Sequence, residues 1–172
     1  EVDIESEVGL VEGALAEAVA ALLAMREREG ERMAADVAGY LERIEALSAA
    51  ARVIADRVPG RAKARIERRL ESLLGAEAGS VDPVRLAQEV ALLADKAAVD
   101  EELARLASHI AQARELLQSS EAVGRRLEFL VQELNREANT LASKSSDSEL
   151  SALGVELKSV IEKVREQVAN IE

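Results

Sequence analysis

One helical segment carries most of the side chains that could perform acid–base or metal chemistry. Asp95, Glu102 and His109 follow one another at intervals of seven residues, so they would stack along one line of a helix. His109 is the one histidine of the chain, and an imidazole can exchange a proton near pH 7. Carboxylates can hold Mg²⁺ or Mn²⁺, and the bound cation activates water and offsets phosphate charge. The segment could therefore support hydrolysis assisted by a divalent cation.

These polar groups border the apolar face of a helix predicted over residues 83–117. At 100° per residue, the apolar positions share one sector: Val99, Leu103, Leu106, Ile110, Ala113 and Leu117. The polar groups fall in the adjoining sector: Asp95, Glu102, Arg105, His109 and Gln112. A polar stripe beside the core face predicts side chains that line a groove between two helices.

A second helix, predicted over 121–143, has the same design. Its apolar face holds Leu127, Leu130, Val131, Leu134, Ala138 and Leu141. A polar face beside it holds Arg125, Glu128, Gln132, Asn135, Arg136 and Asn139. Asparagine is unfavourable inside a helix because its amide competes for backbone hydrogen bonds. The amides therefore favour specific binding over a purely structural role, although polar helix faces are more often simply solvated.

The composition predicts that helices position all of these groups. The 172 residues include 2 prolines, 9 glycines and few aromatic residues, and helix-forming Ala, Leu, Glu and Arg are abundant. Coiled-coil-like apolar spacing predicts helices over 6–28 and 31–57 with a break at Gly30, and Pro59-Gly60 then separates a short basic helix over 61–75. The fold class is all-α, with long antiparallel helices forming a coiled-coil arm ahead of a helical bundle.

The boundaries between these units come from turn and capping signals. Residues 76–81 are a small-residue linker, which divides the chain into an arm over 1–75 and a C-terminal domain over 76–172. Asp82-Pro83 predicts a helix start, and Ser146 with Glu149 has the spacing of a capping box before the last helix.

Charge and cysteine content narrow the function classes. The net charge of −11 argues against a general nucleic-acid binder, but it leaves room for a local basic path. The absence of cysteine excludes disulfides and thiolate metal sites, and no apolar run of about 18 residues predicts a membrane span. The chain begins at Glu1, without a signal peptide, and we expect it to be a fragment that acts in the cytoplasm.

Three segments of the second half resemble the YicC-like endoribonuclease family. They are GRRLEFLVQELNREANTLASK over Gly124–Lys144, DKAAVDEELARLASH over Asp95–His109, and the terminal REQVANIE. The resemblance covers about 85–172 closely and extends loosely to MREREG at 25–30. The family's N-terminal domain is not in this chain.

The resemblance implies a bacterial, metal-dependent endonuclease for single-stranded RNA, with a role in stress response or small-RNA turnover. It also implies a homo-oligomer, in the first place a hexamer, that could meet other RNA-degradation proteins. One departure is Ala98, where the family commonly has Asp. If that carboxylate bound metal, this chain would bind it more weakly.

The residues divide into three predicted groups. The candidate ligands for Mn²⁺ or Mg²⁺ are Asp95, Glu102 and Glu128. The candidate catalytic residues are His109, Glu102, Glu128 and Glu133. The candidate RNA-binding residues are Arg105, Arg125, Arg136, Gln132, Asn135, Asn139, Lys144 and, on the basic helix, Arg65, Arg68 and Arg69. Two alternatives stay open: a non-catalytic RNA-binding adaptor, and a helical oligomerisation scaffold.

Overall fold

Six α-helices make up almost all of the chain that the computed structural model describes, namely residues 4–75, 82–96, 98–119, 122–144 and 147–171. They are α1 Ile4–Ala55, α2 Val58–Leu74, α3 Pro83–Lys96, α4 Asp100–Leu117, α5 Gly124–Lys144 and α6 Ser148–Val168. No strand occurs among these residues, so the predicted all-α class is confirmed. The predicted linker at 76–81 lies outside the described residues, and the division into two domains there stays a prediction.

Helix α1 runs unbroken through Gly30, so the predicted break there was wrong. A glycine weakens a helix interior by about 1 kcal/mol relative to alanine, which a helix of 52 residues can tolerate. The stop at Pro59-Gly60 is real but begins earlier, because α1 ends at Ala55. Proline then lies in the first turn of α2, where its missing N–H removes no helical hydrogen bond.

The second half of α1 forms a four-helix bundle with α4, α5 and α6. Helices α1 and α5 lie diagonally opposite, and each packs against both α4 and α6. Arg114 pairs with Glu45 across α4 and α1, and Arg105 pairs with Glu137 across α4 and α5. Neighbouring helices run antiparallel, in the up-down-up-down topology of simple bundles. The α2–α3 hairpin is inserted between the first and second helices of the bundle.

The core is aliphatic, as the apolar spacing predicted. Its fully buried side chains include residues from all four helices of the bundle: Val37, Leu41, Ile44, Leu106, Leu127, Leu134, Leu141, Leu150, Leu157 and Ile161. Val99 is also buried, although it precedes α4 as its N-cap. The seams of α1 and α6 thus meet those of α4 and α5 in one contiguous core.

The predicted single helix over 83–117 is interrupted, which changes what the polar stripe can do. Helix α3 ends at Lys96 and α4 begins at Asp100, with Ala98 and Val99 outside both helices. Asp100, Glu101 and Glu102 occupy the first turn of α4, where carboxylates stabilise the positive end of the helix dipole. Asp95 therefore does not continue the line of Glu102 and His109, and the wheel that joined them was wrong.

The N-terminal half of α1 extends beyond the bundle as an exposed helix. Its large apolar side chains are about half exposed or more: Val8, Leu10, Val11, Leu15, Val19, Leu22, Leu23 and Met25. By length and composition this region could cross a membrane, contrary to the expectation from the sequence. One such helix near an N-terminus is weak support for a membrane protein.

Helices α5 and α6 approach most closely at Gly154. A Cβ on Gly154 would lie 2.8 Å from Ala142 Cβ and 3.1 Å from Ala142 Cα, and such distances require a shift of the α5 backbone. We expect Gly154→Ala to lower the free energy of unfolding by about 1–2 kcal/mol despite alanine's better helix propensity. Gly39→Ala is the matched control, because a Cβ there meets nothing within 4 Å, and it should be neutral or stabilising. Urea denaturation measures both, and equal effects would refute the close packing.

Asp147 is the N-cap of α6, whereas the predicted capping residue Ser146 lies outside the described residues. Its carboxylate accepts hydrogen bonds from the backbone N–H groups of Glu149 and Leu150. Arg61, at the start of α2, donates to the same carboxylate over 2.9 Å. The hydrogen bond from Arg61 is the main reason why the pKa of Asp147 is lowered, and the two backbone donors add to it.

This pKa predicts a pH-dependent effect of Asp147→Asn, which keeps a capping side chain but removes the charge. A carboxyl whose pKa is lower in the folded state stabilises the fold above its unfolded pKa of about 3.9. That stabilisation is lost as the pH falls through the folded pKa. We expect the variant to melt a few degrees below the wild type at pH 7 and the two to converge below about pH 3. A constant difference across this range would contradict the charged interaction.

Candidate functional site: a polar groove between α4 and α5

Helices α4 and α5 are held in register by two ion pairs that cross between them. Arg105 Nη1 lies 3.3 Å from Glu137 Oε1, and Lys144 Nζ lies 2.8 Å from Glu102 Oε1. Because the helices run antiparallel, His109 comes opposite Glu133 and Glu137, one turn further along α4. Polar side chains thus line the α4–α5 groove from His109 to Lys144.

The group most suited to holding a cation lies at the His109 end of the groove. His109, Glu133 and Glu137 each offer a ligand atom, and these atoms lie within 4.8 Å of one another. Glu137 is 2% exposed, and the other two are partly buried. Among the described residues, buried His109 Nδ1 has no hydrogen-bond partner. A buried nitrogen without a partner beside two carboxylates is an arrangement that a bound cation would satisfy.

The three residues fit a divalent cation by their chemistry as well as their position. One imidazole and two carboxylates are ligands that Mn²⁺ and Zn²⁺ accept, whereas Mg²⁺ and Ca²⁺ favour oxygen alone. Ligands at about 2.1 Å from a shared ion require these atoms to move together by only about 1 Å. Two of the three, His109 and Glu133, were predicted catalytic residues, which the structure brings together.

Arg105 joins this group to the surface of α4. Its guanidinium donates to buried Glu137 and, one turn back along α4, to exposed Glu101. The hydrogen bond to Glu137 and the charge of Glu101 raise the pKa of Arg105 above its usual value, so it stays a cation. Arg105 is itself about half exposed, and it reaches the buried carboxylate from the solvent side.

The other end of the groove is closed by Glu102 and Lys144. Glu102 is 5% exposed, and within the described part of the chain its second oxygen, Oε2, has no hydrogen-bond partner. Lys144 Nζ neutralises this carboxylate from the last turn of α5. The predicted RNA-binding residue Lys144 and the predicted ligand Glu102 therefore form a buried ion pair with each other.

The predicted ligand set of Asp95, Glu102 and Glu128 does not meet at one place. Asp95 is exposed near the end of α3. Glu128 lies sixteen residues before Lys144 on α5, about 24 Å from the position that pairs with Glu102. Glu128 and Arg125 border a cavity whose other wall is Arg165 and Val168 of α6. The structure thus separates these carboxylates, and Ala98 lies apart from the groove.

The amide row of α5 follows the same side as Glu128 and faces away from α4. Gln132 and Asn139 are exposed, and Asn139 Nδ2 donates to Asn135 Oδ1 over 3.1 Å. Arg136 is 69% exposed on its side chain and lies 3.7 Å from Glu133. The amides therefore form an outer surface next to the groove rather than part of its lining.

The basic helix predicted to bind RNA is α2. Arg65, Arg68 and Arg69 are all exposed on it. The first turn of α2 is tied to the start of α6 through Arg61, which contacts Asp147 and Glu149. Asp147 follows shortly after Lys144, so α2 begins at the Lys144 end of the bundle.

Sequence reasoning did not single out Glu137 as a ligand. Its signal was present: Glu133 and Glu137 are one helical turn apart, and Glu137 directly precedes the buried Ala138. A glutamate next to the core face needs a cation or donor from another helix, and Arg105 supplies it here.

Comparison with known proteins adds a family to this geometry. The description "Endoribonuclease YicC-like, C-terminal" matches residues 51–172, which include the whole α4–α5 groove. The chain belongs to the YicC-like endoribonuclease family. Its resemblance in sequence is thereby confirmed.

Two relatives carry the name probable endoribonuclease YicC. The one from Clostridioides difficile (strain 630) is 40% identical over 166 residues, which are 92% of this chain and 54% of that protein. The one from Haemophilus influenzae (strain ATCC 51907 / DSM 11121 / KW20 / Rd) is 41% identical over 150 residues, 87% of this chain and 51% of that protein. The YicC-like chain therefore spans about half the length of the curated relatives it matches.

Proposed function

We propose that this chain carries the cleavage site of an endoribonuclease, and that the site is the α4–α5 groove. The observation that carries the proposal is the convergence of His109, Glu133 and Glu137 within 4.8 Å inside that groove. The matched family and the names of both relatives support ribonuclease activity. The substrate class is single-stranded RNA, as the resemblance implies.

His109, Glu133 and Glu137 would hold one divalent cation, with Mn²⁺ favoured over Mg²⁺ because of the imidazole. When bound, such a cation lowers the pKa of a coordinated water and offsets charge on a phosphoryl group. Glu133, which is partly buried and next to exposed Arg136, could alternatively accept a proton from the attacking water. His109 is either a ligand or a proton carrier at a given nitrogen, because a coordinated nitrogen cannot take up a proton.

The cations around the groove would grip the RNA backbone. Arg105 and Arg136 are exposed at the groove's mouth, and guanidinium groups bind phosphate through paired hydrogen bonds. The outer amide row of α5 would position bases or sugars. Exposed Arg65, Arg68 and Arg69 of α2 would extend the contact beyond the Lys144 end of the groove.

The wider biology also stays a proposal. Ribonuclease activity of this kind would act in the cytoplasm, in stress response or small-RNA turnover, and the active form would be a homo-oligomer, in the first place a hexamer. Contact with other RNA-degradation proteins would fit such a role.

The experiment that tests the proposal is cleavage of a labelled single-stranded RNA with Mn²⁺, with Mg²⁺ and with EDTA. It should be run on this chain and on a longer form that includes the family's N-terminal domain. We expect internal cuts with Mn²⁺ that EDTA abolishes. Cleavage that persists in EDTA would reject the metal site. RNA binding without cleavage in either form would favour the adaptor, and neither binding nor cleavage would favour the scaffold.

A further inference from the structure

We infer that Arg105 is a resident counter-charge for the empty ligand group and is displaced when a divalent cation binds Glu137. This inference rests on the proposed function, because it concerns the same groove. Arg105 would then have two partners in turn: buried Glu137 before metal binding, and a phosphate of the RNA afterwards.

The first observation is that Glu137 needs a positive partner and Arg105 is the cation that contacts it. The side chain of Glu137 is 3% exposed, and a buried carboxylate is costly unless it is paired and hydrogen-bonded. Arg105 Nη1 lies 3.3 Å from Glu137 Oε1, the longer of the two ion pairs that cross between the helices. The pair satisfies the charge of Glu137 without enclosing the guanidinium.

The second observation is that Arg105 can leave at little cost. It is about half exposed, and its other nitrogen, Nη2, already pairs with Glu101, which is 67% exposed on the same helix face. A divalent cation at Glu137 would repel the guanidinium across a few ångströms in a partly buried groove. Arg105 would then keep Glu101 as a partner while one face of the guanidinium turned to solvent.

The consequence is that metal and Arg105 compete for one carboxylate. The apparent affinity for a metal is reduced by the fraction of molecules in which the binding-competent form is populated. The same release supplies a free guanidinium at the groove's mouth when the cation is in place, so phosphate gripping would be coupled to metal loading. The positively charged stem is thus kept out of use until the site is complete.

The test is Mn²⁺ titration of wild type, Arg105→Gln and Arg105→Lys, by calorimetry and by the electron paramagnetic resonance of free Mn²⁺. We expect Arg105→Gln to bind Mn²⁺ about tenfold more tightly than the wild type, because the competitor is gone. Arg105→Lys keeps the charge and should stay near the wild type. Arg114→Gln is the matched control, since it removes a cation of α4 that pairs with Glu45 on α1, away from the ligand group.

A second measurement separates release from simple repulsion. Binding of an uncleavable 2′-O-methyl oligonucleotide should strengthen when Mn²⁺ is added to wild type, and this gain should shrink severalfold in Arg105→Gln. Thermal melting in EDTA reports whether the variants fold. Unchanged or weaker Mn²⁺ binding by a folded Arg105→Gln protein would overturn the inference. Absence of Mn²⁺ binding by the wild type would instead overturn the proposed metal site.

Discussion

His109→Ala is expected to reduce Mn²⁺-dependent RNA cleavage by about 10²–10⁴-fold. The imidazole is one of three groups that converge in the groove, and its buried Nδ1 has no partner among the described residues. Glu133→Gln and Glu137→Gln should each have an effect of similar direction, because an amide replaces a charged ligand by a neutral one. Single-turnover cleavage at saturating Mn²⁺ measures the chemical step.

Mn²⁺ affinity of the same variants decides which role His109 has. If it is a ligand, His109→Ala should weaken Mn²⁺ binding together with cleavage. If it carries a proton, cleavage should fall while Mn²⁺ binding stays intact. Glu162→Gln on α6 is the control, because that exposed carboxylate pairs only locally with Arg165. Normal cleavage by His109→Ala and Glu137→Gln would refute the proposed site.

Glu128→Gln distinguishes the ligand group seen in the structure from the set predicted from sequence. Glu128 lies on the α6 side of α5, about 24 Å along the helix from the residue that pairs with Glu102. A loss of Mn²⁺ affinity in Glu128→Gln would restore the sequence-based set, for example through contact with another copy of the chain. Asp95→Asn serves the same purpose on α3.

Lys144→Met should have the largest effect on stability, lowering the free energy of unfolding by about 3–5 kcal/mol. It leaves the buried carboxylate of Glu102 without its cation, while one oxygen of that carboxylate already has no partner among the described residues. The double variant Glu102→Leu/Lys144→Met should recover most of the loss, because no uncompensated charge remains. Chemical denaturation of the three proteins gives the coupling between the two residues.

The control for this prediction is Lys163→Met. Lys163 lies on exposed α6 surface, 6.0 Å from the ring centre of Tyr40, so its loss should change stability by less than about 1 kcal/mol. A small effect of Lys144→Met would show that the side chain of Glu102 can reach solvent or take up a proton. Lys144 would then be free to serve RNA.

The bundle's seams were predictable because apolar spacing alone determines which helix faces are buried. Val37, Leu41 and Ile44 on α1 and Leu157 and Ile161 on α6 are buried where their three- and four-residue intervals place them. The exposed stripe of α1 over Val8–Met25 has the same spacing. Periodicity therefore identifies a face that can be buried, but it cannot say whether a partner covers it.

The interruption before α4 could not be read from periodicity. Val99 and Leu103 keep the helical interval across it, and Val99 is buried as expected. Three acidic residues at Asp100–Glu102 were the local sign of a new helix start, but carboxylates also occur inside helices. One break therefore removed Asp95 from the line of His109 and dissolved the predicted ligand set.

The choice of polar side on α5 depends on tertiary packing. Both flanks of its apolar face carry polar residues, with Glu133 and Glu137 on one flank and Glu128 and Gln132 on the other. Only the order of helices around the bundle decides that the first flank meets α4 and the second lies toward α6. Grouping by residue type favoured the asparagine flank, whereas the buried carboxylates lie on the flank next to α4.

The unbroken course of α1 makes this helix a ruler. Its exposed part ahead of residue 30 spans about 39 Å at 1.5 Å per residue, and it continues without a joint into the core of the bundle. Whatever binds near the far end is held at a fixed distance and azimuth from the α4–α5 groove, because a helix transmits rotation as well as length. Inserting one residue into this rod would turn the bound object by about 100°, whereas inserting seven would nearly restore its direction and move it about 10 Å outward.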